Sequence, residues 1–398
     1  MRWADRASPE TLPRTGPALD REWSVLQTAC STTPYNEKLI RLRPLLQQPL
    51  RWKRLFDLAD HHGVQPLLHQ ALSGLENVVP PDDLLALKQA HQTNLHKALL
   101  LSRELIRIVG SLTALGIDVM PYKGLAAAEI LYGDIASRQS GDIDLLIHPQ
   151  DLPRIRDAVR GLGYKPHFVL SEVQERAYLQ SGYEYAFDGA AGPNLLELQW
   201  AMQPRFYAVD FNMDGLFQRA VTVSVAGQPM RTPSPEDLFL VLSVHAAKHV
   251  WGRLVWLCDI AQLMQLPNLN WDWVGSQARR LGIARILRVT MLAANHLLEA
   301  AIPVAAERGL PEDSVAPALA DEIHAYVVAE NAYNTDSLAY FRLMMRLRER
   351  PADRRRFLQR LVLTPGLNEW NAVRLPRALF PLYRLIRLSR LAARFARS

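Results

Sequence analysis

The sequence has very few cysteines and no long apolar run. Its 398 residues include only two cysteines, Cys30 and Cys258, which are far apart and form no CxxC pair. A disulfide scaffold and a thiolate zinc site are therefore excluded, and we expect a reducing cytoplasm. The most apolar stretch, residues 238–258, is interrupted by charged residues and histidines, so no segment reaches the roughly 18 apolar residues of a membrane span. The polar, proline-bearing start is not typical of a secretory signal.

Several common catalytic motifs are also missing. The sequence contains no Walker A loop, no GxGxxG turn and no GxSxG elbow. P-loop nucleotide hydrolysis, dinucleotide binding through that fingerprint and serine-hydrolase chemistry are therefore not expected.

Lysine is scarce and the positive charge is unevenly placed. There are seven lysines against 39 arginines, and the net charge is +6. Residues 342–398 carry +12 and the rest of the chain carries −6, so a nucleic-acid-binding surface over the whole protein is not supported. The leucines and arginines of the tail fit an acidic protein partner or an anionic membrane surface. The favoured alternative is that the tail packs back on the acidic body; nucleic-acid binding by the tail is a weaker option.

Hydrophobic periodicity divides the chain into five parts. A loose arm at residues 1–20 precedes a helical domain at 21–115, where apolar residues recur at helical spacing. Residues 116–231 alternate short strands with helices, residues 232–347 are helical again, and residues 348–398 form a basic amphipathic tail. The predicted fold is α+β, with a small mixed sheet flanked by N-terminal and C-terminal helical regions. Strands are expected at 117–122, 142–147, 164–170, 183–187 and 195–200, and a hairpin at 221–231.

The predicted core contains a set of three carboxylates. Asp142 and Asp144 are separated by one residue in an apolar strand, so both point to the same face. Two adjacent acids repel, and a divalent cation with a preference for oxygen ligands relieves that repulsion. If the later strand that carries Glu197 is a neighbour, three carboxylates surround one point, as two-metal nucleotidyl transfer requires. The alternative is a strand end with two solvated aspartates.

A possible phosphate-binding turn lies upstream of these acids. A strand ends at Lys123-Gly124 and a helix begins directly after, so glycine allows close approach to the helix N-terminus. Arg138 is suitably placed to meet phosphate oxygens. The alternatives are a solvated lysine for Lys123 and a surface ion pair with Asp134 for Arg138.

These motifs together resemble a known family. The order of strand, glycine turn, helix, acidic strand and later acidic strand is similar to the DNA polymerase β-type nucleotidyltransferase superfamily. More closely, the chain resembles the bacterial uncharacterised nucleotidyltransferase family over about residues 50–270. The matching segments are YKGLAAAEILY at 122–132, SR at 137–138, DIDLLI at 142–147, ELQW at 197–200, HAAKHVW at 245–251 and LCD at 257–259. In two places the chain departs from the pattern: the serine of the Gly-Ser turn is missing, and Gln199 replaces a histidine.

The helix with two histidines allows two interpretations. His245 and His249 are four residues apart, on one helix face, with Lys248 beside them. They could contact phosphate or hold a second metal ion. The favoured alternative is that the histidines pack against the α/β core, because HxxxH without the glutamate of HExxH is not a metalloprotease signature.

The resemblance implies a metal-dependent nucleotidyltransferase. Asp142, Asp144 and Glu197 would be the catalytic metal ligands for Mg²⁺ or Mn²⁺. Lys123, Gly124, Arg138, Lys248, His245 and His249 would bind the nucleoside triphosphate. ATP is the expected nucleotide, the acceptor is unidentified, and the expected location is the bacterial cytoplasm. The alternative is a non-catalytic nucleotide-binding or accessory protein that retains the fold.

Overall fold

The computed structural model describes residues 20–189, 195–330, 337–373 and 375–395. The predicted N-terminal arm lies outside these ranges except for Asp20. Its carboxylate accepts a hydrogen bond from the Trp23 amide and so caps the first helix. Among the described residues, no helix is long and apolar enough to span a lipid bilayer.

Helices precede the sheet, as the spacing of apolar residues predicts. The longest of them begins at Pro81 with two aspartates in its first turn, a sequence that favours a helix N-terminus. These helices are α1 (Arg21–Cys30), α2 (Tyr35–Leu46), α3 (Trp52–His61), α4 (Gln65–Leu72) and α5 (Pro81–Ala114).

The central region contains a small mixed sheet. Its strands are β1 (Val119–Pro121), β2 (Asp142–Ile147), β3 (Lys165–Pro166), β4 (Glu184–Asp188) and β5 (Leu195–Gln199). Their order is β1-β2-β5-β4-β3, with β2 and β5 parallel and the other neighbours antiparallel. Strands β6 (Val221–Val225) and β7 (Gln228–Thr232) form the predicted hairpin, whose turn holds Ala226 and Gly227 at positive φ. The predicted α+β class with a small mixed sheet is confirmed.

The helices of this region include two that the sequence analysis missed, at Glu172–Ser181 and Met213–Gln218. In chain order, the helices are α6 (Gly124–Tyr132), α7 (Leu152–Gly161), α8 (Glu172–Ser181) and α9 (Met213–Gln218). The strand predicted at 164–170 is wrong beyond Pro166, where β3 ends; one more backbone bond follows, from His167 N to Ala186 O at 3.0 Å. Ser171 then starts α8 through a capping box with Gln174, in which each side chain meets the backbone of the other residue.

The rest of the chain is helical. Its helices are α10 (Pro235–Lys248), α11 (Leu254–Met264), α12 (Trp271–Leu281), α13 (Ala284–Leu298), α14 (Val304–Gly309), α15 (Ala316–Val328), α16 (Leu338–Arg346), α17 (Pro351–Leu363), α18 (Leu367–Ala372) and α19 (Tyr383–Phe395). Short 3₁₀ turns lie at Pro149–Asp151, Arg205–Tyr207 and Arg377–Leu382.

The N-terminal and C-terminal helices share one hydrophobic core. Trp23 of α1 and Trp251, which follows α10, belong to the same buried cluster. A second cluster lies on one face of the sheet and includes Leu145, Leu198 and, from α5, Ile108. The domain boundaries at 115/116 and 231/232 remain predictions, because each hydrophobic core contains residues from more than one of the predicted regions.

The tail packs against the core of the sheet, as the favoured interpretation expects. Trp370 and Tyr383 are buried in the same cluster as the strands. Leu385 and Leu388, on the other side of α19, stay exposed. Docking of this face on an acidic partner or an anionic membrane remains a prediction.

Candidate active site

The sheet brings the three predicted carboxylates together. Asp142 and Asp144 lie on β2, Glu197 lies on β5, and the parallel register sets Asp144 beside Glu197. One potential ligand atom from each residue lies within 4.8 Å of the other two. The predicted convergence is confirmed, and the interpretation of Asp142 and Asp144 as two solvated aspartates is wrong, because Asp144 is only 4% exposed.

Acidic and apolar residues alternate along β2 and β5, and this alternation keeps the three carboxylates in place. Ile143 and Leu145 on β2 and Leu196 and Leu198 on β5 are all buried on the opposite face of the sheet. A register slip of one residue would move the carboxylates into that apolar layer, so burial of the hydrophobic face fixes the position of the acids.

The carboxylates resist ionisation where they lie. Burial, reinforced by the neighbouring Glu197, raises the pKa of Asp144 to about 6. Burial and nearby acids also raise the pKa of Asp142 and of Glu197. A fourth acid, Glu184 on β4, shares this face and has its own pKa raised by burial. Such a group calls for positive charge close to it.

Lys123 supplies that charge. Its Nζ lies 2.8 Å from Asp144 Oδ1, and its side chain is only 12% exposed, so the interpretation of a solvated lysine is wrong. Burial opposes the charged ammonium, but Asp144, Tyr122 and Asp142 outweigh it and hold the pKa of Lys123 well above its ordinary value. Phosphate binding by Lys123 remains a prediction.

Gln199 joins two of the acids directly. Its Nε2 donates to Asp144 Oδ1 and to Glu197 Oε2, each at 3.0 Å, and its Oε1 accepts from the Tyr122 hydroxyl at 2.6 Å. The sequence marked Gln199 only as a departure from a family pattern. Tyr122 was missed as a member of the site, although it stands next to Lys123.

The glycine turn lies beside the carboxylates. Gly124 starts α6 with φ +54°, and a Cβ on it would approach Asp142 O to 3.4 Å and Ser140 Oγ to 3.7 Å. The first amides of a helix lack intrahelical partners and lie at its positive end, which favours anions. Ser140 is buried, and its Oγ has no hydrogen-bond partner within the described ranges. Sequence reasoning missed Ser140.

Arg138 is held by a residue far along the chain. Its Nε and Nη2 donate to Asp259 Oδ2 at 3.0 and 2.9 Å, and the Tyr132 hydroxyl donates to the same carboxylate. The proposed ion pair with Asp134 is wrong, since Asp134 accepts from Ala136 N and from the Ser137 hydroxyl. Phosphate contact by Arg138 remains a prediction.

The histidine pair borders the site, with His245 half-buried and His249 exposed. The rings of His245 and His249 lie 4.8 Å apart and each contacts Trp256. Desolvation by the surrounding protein, together with the nearby cations of Lys123 and Lys248, lowers the pKa of His245 and of His249. In the part of the chain that the structure describes, neither histidine belongs to a cluster with metal-ligand spacing.

Lys248 lies between the histidines and the acidic face. Its Nζ lies 3.4 Å from the Tyr183 hydroxyl and 4.8 Å from the centre of that ring. Burial lowers the pKa of Lys248 to about 8, an effect that Glu184 partly offsets. Its role in nucleotide binding remains a prediction.

The chain matches the model of a known protein family. The family model described as uncharacterised nucleotidyltransferase matches residues 48–299, more than half of the chain. No curated protein matches the sequence.

Two solved structures show limited similarity. The solution structure of the antibiotic-resistance factor ANT(2'')-Ia is 16% identical, with a TM-score of 0.32, and the match covers 48% of this chain and 95% of that one. The crystal structure of an antigenic nucleotidyltransferase-like protein from Paracoccidioides brasiliensis is 18% identical, with a TM-score of 0.32 and coverage of 52% and 95%.

Proposed function

Because the chain belongs to the uncharacterised nucleotidyltransferase family, we propose that it transfers a nucleoside monophosphate from a nucleoside triphosphate to an acceptor. The family identifies the class of enzyme as a nucleotidyltransferase. The observation that carries the proposed reaction is the convergence of Asp142, Asp144 and Glu197 on one face of the sheet.

The donor set fits Mg²⁺ or Mn²⁺. One oxygen from each of the three carboxylates lies within 4.8 Å of the other two, and together they provide the hard oxygen ligands that these cations prefer. Burial is the main reason why the pKa of each acid is raised, so a bound cation would favour the ionised acids. Asp142, Asp144 and Glu197 would hold the cation. When bound, the metal would neutralise charge on the triphosphate and make the attacking group more acidic.

The glycine turn is the proposed triphosphate site. The free amides at the start of α6, the unpartnered Ser140 hydroxyl and the Lys123 ammonium all lie beside the carboxylates. Ser140 would supply the hydroxyl that the Lys123-Gly124-Leu125 turn lacks. An acceptor atom would then attack the α-phosphorus, the bond to the bridging oxygen would break, and pyrophosphate would leave. ATP is the expected donor.

Incubation with each α-labelled nucleoside triphosphate, with Mg²⁺ or Mn²⁺ and without metal, tests the reaction. We expect metal-dependent release of pyrophosphate that is lost in Asp144→Asn, with retained folding shown by circular dichroism. Asp57→Asn, an exposed aspartate on α3, is the matched control and should keep full activity. Unchanged activity in Asp144→Asn would contradict the assignment.

A second candidate function is nucleotide binding without transfer. The observation that favours it is the occupation of the carboxylate group by the protein's own donors, Lys123 Nζ and Gln199 Nε2. This protein would bind ATP equally well with and without Mg²⁺ and would release no pyrophosphate. Isothermal titration of ATP with Mg²⁺ and with a chelator distinguishes the two functions.

A further inference from the structure

A cavity opens where β5 ends. It has a volume of about 240 Å³, and the apolar side chains of Trp200, Met202 and Phe211 form part of its wall. Gln203, four residues beyond the end of β5, also lines it. Four residues of chain span at most about 14 Å, so the cavity is close to Gln199 and therefore to the carboxylates that Gln199 contacts.

Gln203 is a buried amide without a partner. The residue is 4% exposed, and neither its Nε2 nor its Oε1 has a hydrogen-bond partner among the residues that the structure describes. An unsatisfied buried polar group costs about 1–3 kcal/mol, so a side chain with two such atoms is expected to gain a partner when a ligand binds.

Both arginines that line the cavity make hydrogen bonds within the protein. Arg360 makes two hydrogen bonds to the Asp210 carboxylate, at 2.6 and 2.7 Å, and Arg205 Nη1 donates to Gln180 O at 3.1 Å. Within the described ranges, Gln203 is the lining residue whose two side-chain polar atoms are both buried without a hydrogen-bond partner, and a change of its side-chain torsion would turn the amide towards the cavity. The ligand that fits has apolar faces and a polar edge with a donor and an acceptor side by side.

We propose that this cavity binds the nucleobase of the donor nucleotide, and that Gln203 turns its amide towards the cavity to contact the edge of the base. A nucleobase has two apolar faces, which suit the Trp200, Met202 and Phe211 walls, and a hydrogen-bonding edge. A glutamine amide pairs with adenine through two hydrogen bonds, one accepted from the exocyclic amine and one donated to the ring nitrogen. Adenine is therefore the expected base. This inference rests on the proposed function, because it takes the triphosphate to lie at the glycine turn.

The test compares two probes, ATP and inorganic tripolyphosphate, each titrated with Mg²⁺ into the full chain. In Gln203→Leu we expect the Kd for ATP to rise about 10- to 100-fold, since a two-point base contact is lost. The Kd for tripolyphosphate should stay unchanged. Gln203→Met provides a second apolar variant, and Gln70→Leu, an exposed glutamine on α4, is the control for the substitution type.

Stability gives an independent readout. Gln203→Leu removes an unsatisfied amide, so its urea midpoint without nucleotide should equal or exceed that of the parent protein. The parent should also prefer ATP to GTP, CTP and UTP, and the variant should lose that preference.

The outcomes separate this inference from the proposed function. Equal ATP affinity in parent and Gln203→Leu, with normal tripolyphosphate binding, would overturn the base pocket and leave the proposed function intact. Unchanged ATP affinity with a raised KM for an acceptor would also overturn it, by assigning the cavity to the acceptor. If the parent binds neither ATP nor tripolyphosphate, both the pocket and the proposed function fail.

Discussion

The buried ion pair between Lys123 and Asp144 provides a strong test of the site. The same chain contains an exposed lysine–aspartate pair, Lys53 and Asp57, that serves as the comparison. The Lys123 Nζ and Asp144 Oδ1 atoms are 2.8 Å apart, and the two side chains are 12% and 2% exposed. On α3, Lys53 Nζ and Asp57 Oδ2 are 2.7 Å apart, with side chains 89% and 65% exposed. The two pairs differ mainly in their access to water.

Replacement of Lys123 by methionine keeps most of the side-chain volume and removes the ammonium. Asp144 is then left beside Glu197 with no cation in contact. Removal of one partner from a buried ion pair costs about 3–5 kcal/mol of unfolding free energy. Lys53→Met should cost only about 0.3–0.5 kcal/mol, the usual contribution of an exposed helix pair.

Urea unfolding in the presence of a chelator measures both values. The double variant Lys123→Met/Asp144→Asn should recover part of the loss, because the uncharged amide no longer needs a counter-charge. Equal costs for Lys123→Met and Lys53→Met, or strictly additive effects of Lys123→Met and Asp144→Asn, would refute the account of a buried acid group held by Lys123.

Further expectations concern pH and backbone packing. Burial lowers the pKa of His62 to about 3, so below about pH 6.5 the unfolded chain binds a proton that the folded chain does not. The free energy of unfolding should therefore decrease as the pH is lowered from 6 to 4. In urea titrations over this range, His62→Gln should reduce that dependence by up to about 1.4 kcal/mol per pH unit. The control His61→Gln, at an exposed position, should not reduce it. Gly110→Ala, with open space around the Cβ, should stabilise α5 by about 0.5–1 kcal/mol. Gly275→Ala should destabilise by about 1–3 kcal/mol or more in the same assay, because its Cβ would lie 2.1 Å from Gly309 O.

The convergence of the acids was predictable because it depends on local alternation. The period of two along residues 142–147 and 195–199 places the carboxylates on one face and the apolar residues on the other. That β2 and β5 are neighbours, however, was an assumption that the sequence alone did not support. The capping box at Ser171 and Gln174 could also have been recognised in the sequence. The helix itself is harder to predict, because α8 is mostly polar and shows no clear helical spacing of apolar residues.

The partners of the charged groups were not predictable from spacing. Arg138 meets Asp259 across 121 positions of the chain, and only the tertiary fold brings them together. The same holds for Cys30 and Cys258, whose thiols are free and buried, and Cys30 raises the pKa of Cys258. Gln203 follows a strand in an irregular segment, where no periodic pattern marks an inward-facing side chain.

These long-range partners imply that the site does not belong to the α/β region alone. The sheet supplies Asp144 and its neighbours, whereas Asp259 fixes Arg138 from α11 and Lys248 reaches Tyr183 from α10. A segment cut to residues 116–231 would retain every carboxylate of the metal-ligand group but would leave Arg138 as a buried charge without its partner. Breaking such a pair is costly, so the C-terminal helices stabilise the arrangement of the site although they contribute no metal ligand.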